Sequence, residues 1–289
     1  MKTKNYCFAG VEISVAMPEN LMYADDRYLA SFAVDRVENP HIFTFELTDT
    51  ITPPTGELVT AKPSFCVYDE NGSETRYIGS VETGWQNAYM RVYHNGKNHT
   101  VQIKKDQYTS AGIGTSTVLS ALAAEHLAVQ TGGVVFHCSY IEKDGKAILF
   151  TAPSETGKST QADLWHNLRD AEIVNGDRAV IRVIDGRIYA AGVPFAGSSV
   201  YCNNRTVPLC AIVYLGQAPQ TTIRKLRGYE AFAKVWEGIS VNTWNKEDME
   251  KASAIVKQVA EKIPVFYMPC TPDESAVIAV EKALEGERI

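Results

Sequence analysis

The residues of this chain best suited to binding phosphate are the consecutive Gly157, Lys158, Ser159 and Thr160. An apolar run of strand character, 148–150, and a short loop precede them, and a stretch without Pro or Gly follows as far as Arg169. Strand, tight loop, Gly-Lys-Ser/Thr and helix is the arrangement of a phosphate-binding P-loop. A chance occurrence of the short string is the weaker interpretation, because the flanking elements are also of the required type.

Each part of this loop has a chemical task. Backbone N–H groups at the start of a helix point towards bound phosphates, and the helix dipole adds to the attraction. Lys158 reaches the β- and γ-phosphates, and the Ser159 hydroxyl ligates Mg²⁺. Two departures stand out: Ala152 occupies a position that the strict pattern gives to Gly, and Glu155 places a carboxylate where the anion should lie. The residues predicted to bind the nucleotide are Pro153, Ser154, Glu155, Thr156, Gly157, Lys158, Ser159 and Thr160.

Two further side chains are predicted to lie near the reacting phosphate. His137 belongs to an apolar segment, 134–142, that forms a hairpin with the loop-bearing strand, so it is either a structural histidine or a group near the γ-phosphate. Asp177 follows the short strand 171–174, which we expect beside the loop-bearing strand, where such sites hold their metal directly or through water. The alternative is a turn aspartate, since Asn-Gly-Asp is good turn chemistry.

The remaining sequence supplies elements that position these residues. Residues 1–112 predict a β-rich module, and His41, His94 and His99 within it are expected at the surface. The Gly-containing segment 108–115 predicts a boundary, and residues 113–289 predict the phosphate-binding domain. There the pattern indicates one helix over 116–130, one strand over 134–142, helices over 229–237 and 246–262, and a mixed sheet. Arg224, Lys225 and Arg227 form a compact basic cluster, typical of a solvated face or of contact with phosphates or an acidic partner.

Amino-acid composition and net charge argue against some classes of binding partner and indicate the compartment of the protein. Of the 289 residues, 45% are hydrophobic and 21% charged, as in a folded globular protein. The formal net charge of -6 argues against nucleic acid or an anionic membrane as the main partner. Six scattered Cys without a Cys-x-x-Cys pair predict buried free thiols. With neither a signal-peptide core nor an apolar stretch of membrane-spanning length, the sequence predicts a cytoplasmic protein.

From about Gly132 to Leu284 the sequence resembles the superfamily of HPr kinase/phosphorylase and phosphoenolpyruvate carboxykinase, and most of all its small divergent HPr-kinase-like members. The strand histidine, the loop 152–160 and the run 175–178 carry the resemblance, together with segments 192–197 and 264–273. It implies an α/β (α+β) fold, with a P-loop core of this type built on a mixed sheet and a β-rich N-terminal module beside it.

Carried over by residue, the resemblance implies catalytic roles for His137, Lys158 and Asp177, and Mg²⁺ held by Ser159 and Asp177. The family has two consecutive aspartates where this chain has Gly176-Asp177, and one of them is thought to accept the proton of the attacking hydroxyl. Glu155 also stands where the family usually has Gly. The signature used for phosphorolysis is absent from the sequence, which argues against HPr as substrate.

These features predict a kinase-like enzyme, dependent on ATP and Mg²⁺, that transfers a phosphoryl group to a hydroxyl of a protein, peptide or small molecule. The alternative is a catalytically weak or inactive nucleotide-binding module that serves as a sensor or assembly partner. Carboxykinase chemistry would need metal ligands and substrate arginines that the sequence does not place. The acceptor, the choice between ATP and GTP, and the oligomeric state are left open.

Overall fold

A computed structural model describes residues 1–19, 27–82, 84–107 and 113–287. The chain divides into two compact units, residues 1–123 and 124–289. The predicted boundary segment 108–115 falls mostly on residues 108–112, which lie outside the described residues. Within the described ranges, no helix combines the length and the apolar character needed to cross a membrane.

The described residues of the first unit form a nine-stranded sheet. The strands lie in the order β3-β1-β2-β4-β9-β8-β7-β6-β5, in which β4 is parallel to both of its neighbours and the other pairs are antiparallel. The elements are β1 (Lys2–Phe8), β2 (Val11–Met17), α1 (Arg27–Ala30), β3 (Ala33–Val34), β4 (His41–Thr48), β5 (Glu57–Lys62), β6 (Phe65–Glu70), β7 (Ser73–Gly79), β8 (Ala88–Asn95), β9 (Asn98–Lys104) and α2 (Thr115–Ala121).

The three histidines of this sheet form a contact chain, and the expectation of a surface position is wrong for His99, which is buried, whereas His41 and His94 are half-buried. His99 is only 4% exposed. Its Nε2 lies 3.1 Å from His41 Nδ1, and its Nδ1 lies 3.0 Å from His94 Nδ1. The ring of Phe43 stacks on that of His99 at 4.2 Å between centroids. Neighbouring strand positions on one face therefore place the three imidazoles in direct contact.

The second unit is α/β in character, with a larger mixed sheet. Its strands lie in the order β13-β11-β12-β16-β15-β14-β10-β18, and β19 pairs with both β16 and β17. The elements are α3 (Ala124–Gln130), β10 (Gly133–His137), β11 (Ser139–Lys143), β12 (Lys146–Thr151), α4 (Lys158–Arg169), β13 (Glu172–Asn175), β14 (Arg178–Ile184), β15 (Arg187–Ala191), β16 (Thr206–Gln217), β17 (Arg224–Leu226), α5 (Gly228–Gly238), β18 (Ile239–Ser240), α6 (Lys246–Lys262), β19 (Val265–Cys270) and α7 (Glu274–Glu285).

Helices cover both faces of this sheet. Alternate residues of a strand point to opposite faces, so β12 sends Leu149 into one core and Phe150 into the other. The first core also contains buried residues of α5 and α6, and the second contains buried residues of α4 and α7. Strands β12, β16 and β19 are mutually parallel, so their carboxyl ends meet at one edge of the sheet.

Two predicted elements are each divided in the structure. The helix expected over 116–130 is two helices, α2 and α3, because Ala123 adopts a left-handed backbone conformation with φ of 51°. The strand expected over 134–142 is two strands, β10 and β11, which separate at Cys138. Strand β11 forms the predicted hairpin with β12, whereas β10 pairs with β14 and β18.

Candidate functional site

The loop between β12 and α4, residues 152–157 (the 152–157 loop), has the predicted order of strand, tight loop and helix. Gly157 adopts φ of 113°, a conformation that side chains with a Cβ rarely take. Helix α4 begins at the next residue, and the N–H of Gln161 donates to the Gly157 carbonyl at 3.0 Å. Glu155 is also left-handed, with φ of 63°. A glycine is thus required at 157 by backbone conformation, while the residue at 155 is held in a strained one.

Lys158 is folded back over this loop. Its side chain is largely buried, and Nζ donates to the carbonyl oxygens of Ala152 at 3.1 Å and Pro153 at 3.4 Å. Burial lowers the pKa of the Lys158 ammonium, and the negative charge of Asp177 opposes that shift. The lysine and the aspartate therefore interact electrostatically, although they lie on different elements of the unit.

Asp177 is held between a histidine and an arginine. Its Oδ1 lies 3.4 Å from His137 Nε2, and its Oδ2 accepts from Arg178 Nε at 3.1 Å. The hydrogen bond from His137 lowers the pKa of the Asp177 carboxyl; burial opposes this, and the charge of Arg178 adds to it. Asp177 is therefore kept as a carboxylate, which favours a role as ligand or orienting group over that of a strong base.

Backbone pairing explains how His137 and Asp177 meet. His137 is the last residue of β10 and lies opposite Arg178 in β14, and the next N–H along, that of Cys138, donates to the Asp177 carbonyl at 3.0 Å. The Thr151 hydroxyl at the end of β12 donates to the His137 carbonyl at 2.9 Å. The structure thus brings His137 close to the end of the loop-bearing strand by a side-chain bond.

Two predicted strand neighbourhoods are wrong. His137 was expected on the hairpin partner of β12, but that partner is β11 and His137 precedes it on β10. The strand before Asp177, β13, was expected beside β12, but β11 lies between them. Asp177 reaches the site because the turn after β13 carries the chain to β14, the neighbour of β10.

Asn175, which the sequence indicates as part of a turn and of the run 175–178, is a further site residue. It is fully buried, and its Oδ1 accepts from the N–H groups of Asp177 and Arg178, each at 2.9 Å. Its Nδ2 donates to the carbonyls of Val193 and Phe195, each at 3.0 Å. One side chain therefore fixes both the Asp177 turn and the loop 192–199. The Asn-Gly-Asp string indicated the turn, but nothing local indicated the second attachment.

The loop 192–199 closes tightly on this turn. Gly197 has φ of 53°, and a Cβ there would lie 2.9 Å from Asp177 Cγ. A Cβ at Gly176 would lie 2.2 Å from Ser199 Oγ and 2.6 Å from Ser199 Cβ. The space that a side chain at position 176 would need is therefore occupied by Ser199.

The other predicted binding residues line the mouth of the loop. Pro153, Ser154 and Glu155 are exposed, Thr156 and Gly157 are half-buried, and Ser159 and Thr160 are exposed on the first turn of α4. A cavity of about 400 Å³ lies against the loop at the carboxyl ends of β16 and β19. Its lining residues are Glu155, Thr156, Gly157, Thr160, Gln161, Leu215, Gln217, Ala218, Cys270 and Pro272. Carboxyl ends of parallel strands are where open α/β sheets bind ligands.

The predicted metal ligands are hard oxygen donors. Within the described part of the chain, no group of three or more His, Cys, Asp or Glu side chains is arranged to hold a metal ion. Mg²⁺ in nucleotide sites is commonly held by one or two protein oxygens with waters and phosphates supplying the rest. The Ser159 hydroxyl and the Asp177 carboxylate fit that chemistry, and no cage of protein ligands is needed.

Comparisons with known proteins show the family of this chain and, among the matching solved structures, one kinase/phosphatase of low similarity. No curated protein matches the chain. Among solved structures, the chain is similar to the Hpr(Ser) kinase/phosphatase from Coxiella burnetii with a TM-score of 0.33 and 11% identity, over 53% of this chain and 95% of that one. The family model described as SynChlorMet cassette protein ScmC matches residues 113–272, more than half of the chain. The chain is therefore a member of the ScmC family.

Proposed function

We propose that this protein is a kinase-like enzyme that binds ATP with Mg²⁺ at the 152–157 loop and transfers the γ-phosphoryl group to a hydroxyl acceptor. The observation that carries the proposal is the convergence of three groups. Lys158 at the start of α4 interacts with Asp177, and Asp177 lies 3.4 Å from His137. A cation, a carboxylate and an imidazole beside a glycine-containing loop and helix N-terminus are the parts that phosphoryl transfer uses.

In this proposal Lys158 leaves the carbonyls of Ala152 and Pro153 and neutralises the β- and γ-phosphates. Ser159 and Asp177 hold Mg²⁺, which when bound supplies charge neutralisation. His137 orients the Asp177 carboxylate and lies where it can polarise or position the acceptor hydroxyl. The cavity against the loop takes the nucleoside part of ATP. The acceptor is a protein, a peptide or a small molecule, and the β-rich first unit is proposed as its recognition module.

A second candidate function is nucleotide binding without efficient catalysis, as a sensor or assembly module. A specific observation favours it: the position of the first family aspartate is Gly176, and Ser199 fills the space where that carboxylate would lie. The remaining carboxylate, Asp177, already contacts His137 and Arg178 through its two oxygens. The base that accepts the hydroxyl proton would then be weak or missing.

Thermal unfolding of the full chain with ATP, ADP and GTP, each with and without Mg²⁺, tests the binding part. A ligand at 100 times its Kd stabilises the native state by about 2.7 kcal/mol, which corresponds to roughly 5–10 °C in a unit of this size. We expect a Mg²⁺-dependent rise with ATP that Lys158→Ala abolishes. Lys146→Ala is the matched control, because Lys146 is exposed at the start of β12, the strand that precedes the 152–157 loop. This variant should keep the full response to ATP with Mg²⁺.

The Asp177→Asn variant distinguishes the contribution of Mg²⁺ from that of the 152–157 loop to ATP binding. We expect this variant to bind ATP without Mg²⁺ as the wild type does, and to lose the additional effect of Mg²⁺. An unchanged response of the Lys158→Ala variant would remove the nucleotide proposal. Once binding is established, a second measurement separates the enzyme from the binding module. Release or transfer of the terminal phosphate of ATP by the wild type, and its loss in the Asp177→Asn variant, favours the enzyme.

A further inference from the structure

A second cavity, of about 650 Å³, lies at the opposite end of β19 from the 152–157 loop. Ile263 and Pro264 line it just before β19 begins, whereas Cys270 at the end of that strand lines the cavity against the 152–157 loop. Six strand residues at about 3.3 Å each separate the two by roughly 20 Å. We call this second feature the basic cavity. Its charged lining residues are Lys225, Arg227, Lys257, Glu261, Lys262 and Glu287.

The basic cavity carries an excess of positive charge in a chain whose net charge is negative. Four cations and two carboxylates line it, which leaves two positive charges in excess. Three of the cations have partners: Lys225 pairs with Glu287, Lys257 lies 4.0 Å from Glu261, and Lys262 donates to the Gly186 carbonyl at 2.7 Å.

Arg227 is different from these three. Its side chain is exposed, and within the described part of the chain it has neither an ion pair nor a side-chain hydrogen bond. It is also the residue before α5, and its side chain makes no capping bond to that helix. The positive end of the α5 dipole therefore adds to the field of the guanidinium at the same lip of the cavity.

An exposed aromatic ring stands beside this arginine. Tyr229 is 85% exposed, more than any other exposed large apolar side chain among the described residues. One turn further along α5, Phe232 lines the cavity wall and stacks on Trp236, with 5.8 Å between ring centroids and 11° between planes. Exposed aromatic and arginine side chains next to an apolar concavity are the usual anchors of protein interfaces.

We propose that the basic cavity docks an acidic segment of a protein partner that carries an aromatic or large apolar side chain. A carboxylate of that segment would pair with Arg227, and its apolar side chain would cover Tyr229 and Phe232. A single small anion fits less well, because three of the four cations are already engaged with separate partners. This docking surface does not rest on the proposed kinase function, since it lies at the other end of β19.

Fluorescence polarisation with a labelled pentapeptide, one tryptophan flanked by four glutamates, tests the docking surface on the full chain. We expect saturable binding that weakens as salt rises. Arg227→Glu should weaken it by about tenfold, and Tyr229→Ala should weaken it several-fold, as interface anchors do. Both residues are exposed, so the unfolding midpoints of these variants should match that of the wild type.

Lys246→Glu is the matched control. Its side chain is 89% exposed and lies at the start of α6, 11 residues and about 16 Å from Lys257 along the helix. This charge reversal should leave peptide binding unchanged. A peptide with lysines in place of the glutamates should not bind. Equal binding of the two peptides, absence of binding by the acidic one, or equal loss in all three variants would overturn the proposal.

Discussion

Glu155 offers the sharpest test of how the 152–157 loop works. This residue is left-handed, with φ of 63°, and its side chain is exposed at the mouth of the loop. Glu155→Gly removes both the strain and the charge, whereas Glu155→Gln removes the charge and keeps the strain. Comparison of the two variants therefore separates the backbone effect from the electrostatic one.

The backbone effect changes the free energy of unfolding, and the electrostatic effect changes the affinity for ATP. A left-handed residue with a Cβ costs about 1–2 kcal/mol, and glycine returns about 0.5–1 kcal/mol of that as extra chain entropy in the unfolded state. The net gain in the free energy of unfolding is therefore about 1 kcal/mol for Glu155→Gly, or roughly 2–4 °C in the midpoint. A unit charge about 4 Å from a phosphate in a water-like medium is worth about 1 kcal/mol, so either variant should bind ATP about fivefold more tightly.

Calorimetric unfolding and ATP titration of the same preparations measure both effects. Asp170→Gly is the control for strain alone, since Asp170 is also left-handed, with φ of 59°, and ends α4 at the far side from the loop. It should raise the unfolding midpoint without changing ATP affinity. If Glu155→Gln binds ATP no better than the wild type, the carboxylate does not face the phosphates. If Glu155→Gly fails to raise the midpoint, the backbone there is not strained.

Two other predictions concern the same region, and a third concerns the half-buried pair of His126 and Asp248. Gly176→Asp should lower the free energy of unfolding by about 1–3 kcal/mol through overlap with Ser199, and the double variant with Ser199→Gly should recover most of that loss in urea unfolding. Asn175→Ala should cost roughly 2–4 kcal/mol in the same measurement, because four backbone groups lose their partner, and it should also abolish the Mg²⁺ effect on ATP binding. Burial acts to raise the pKa of the Asp248 carboxyl, but hydrogen bonding and charge from His126 outweigh it and hold the pKa below its usual value. Stability from this pair is therefore present above about pH 4 and is lost as the pH falls further, and Asp248→Asn should flatten that part of an acid-unfolding curve.

Elements with strong local signals were predictable from the sequence. Helix α6 spans Lys246–Lys262 as predicted, because Asn245 caps its first turn and Pro264 prevents its continuation. The start of α4 was predictable from Gly157, whose left-handed conformation few other residues would accept. In such places the chemistry of one or two neighbours decides the backbone.

The errors have a different physical origin. The apolar run 134–142 contains no breaker, so its division at Cys138 depends on which strands lie on either side. The placement of β11 between β12 and β13 is likewise a matter of long-range pairing, which no local pattern encodes. The two bonds from Asn175 to the loop 192–199 join residues about twenty positions apart. The types of the site residues were thus predictable from the sequence, but the strand pairings and hydrogen bonds that position them were not.

The three imidazoles of the first unit have linked tautomers. A neutral imidazole has one protonated nitrogen and one acceptor nitrogen, and His99 uses both of its nitrogens on its two neighbours. If His99 carries its proton on Nδ1, it donates to His94 Nδ1 and accepts from a protonated His41 Nδ1; with its proton on Nε2, both bonds reverse. His41 and His94 must therefore hold opposite tautomers, and a single proton shift in the buried ring would invert both, so ¹⁵N resonances of the two outer rings should always report complementary forms.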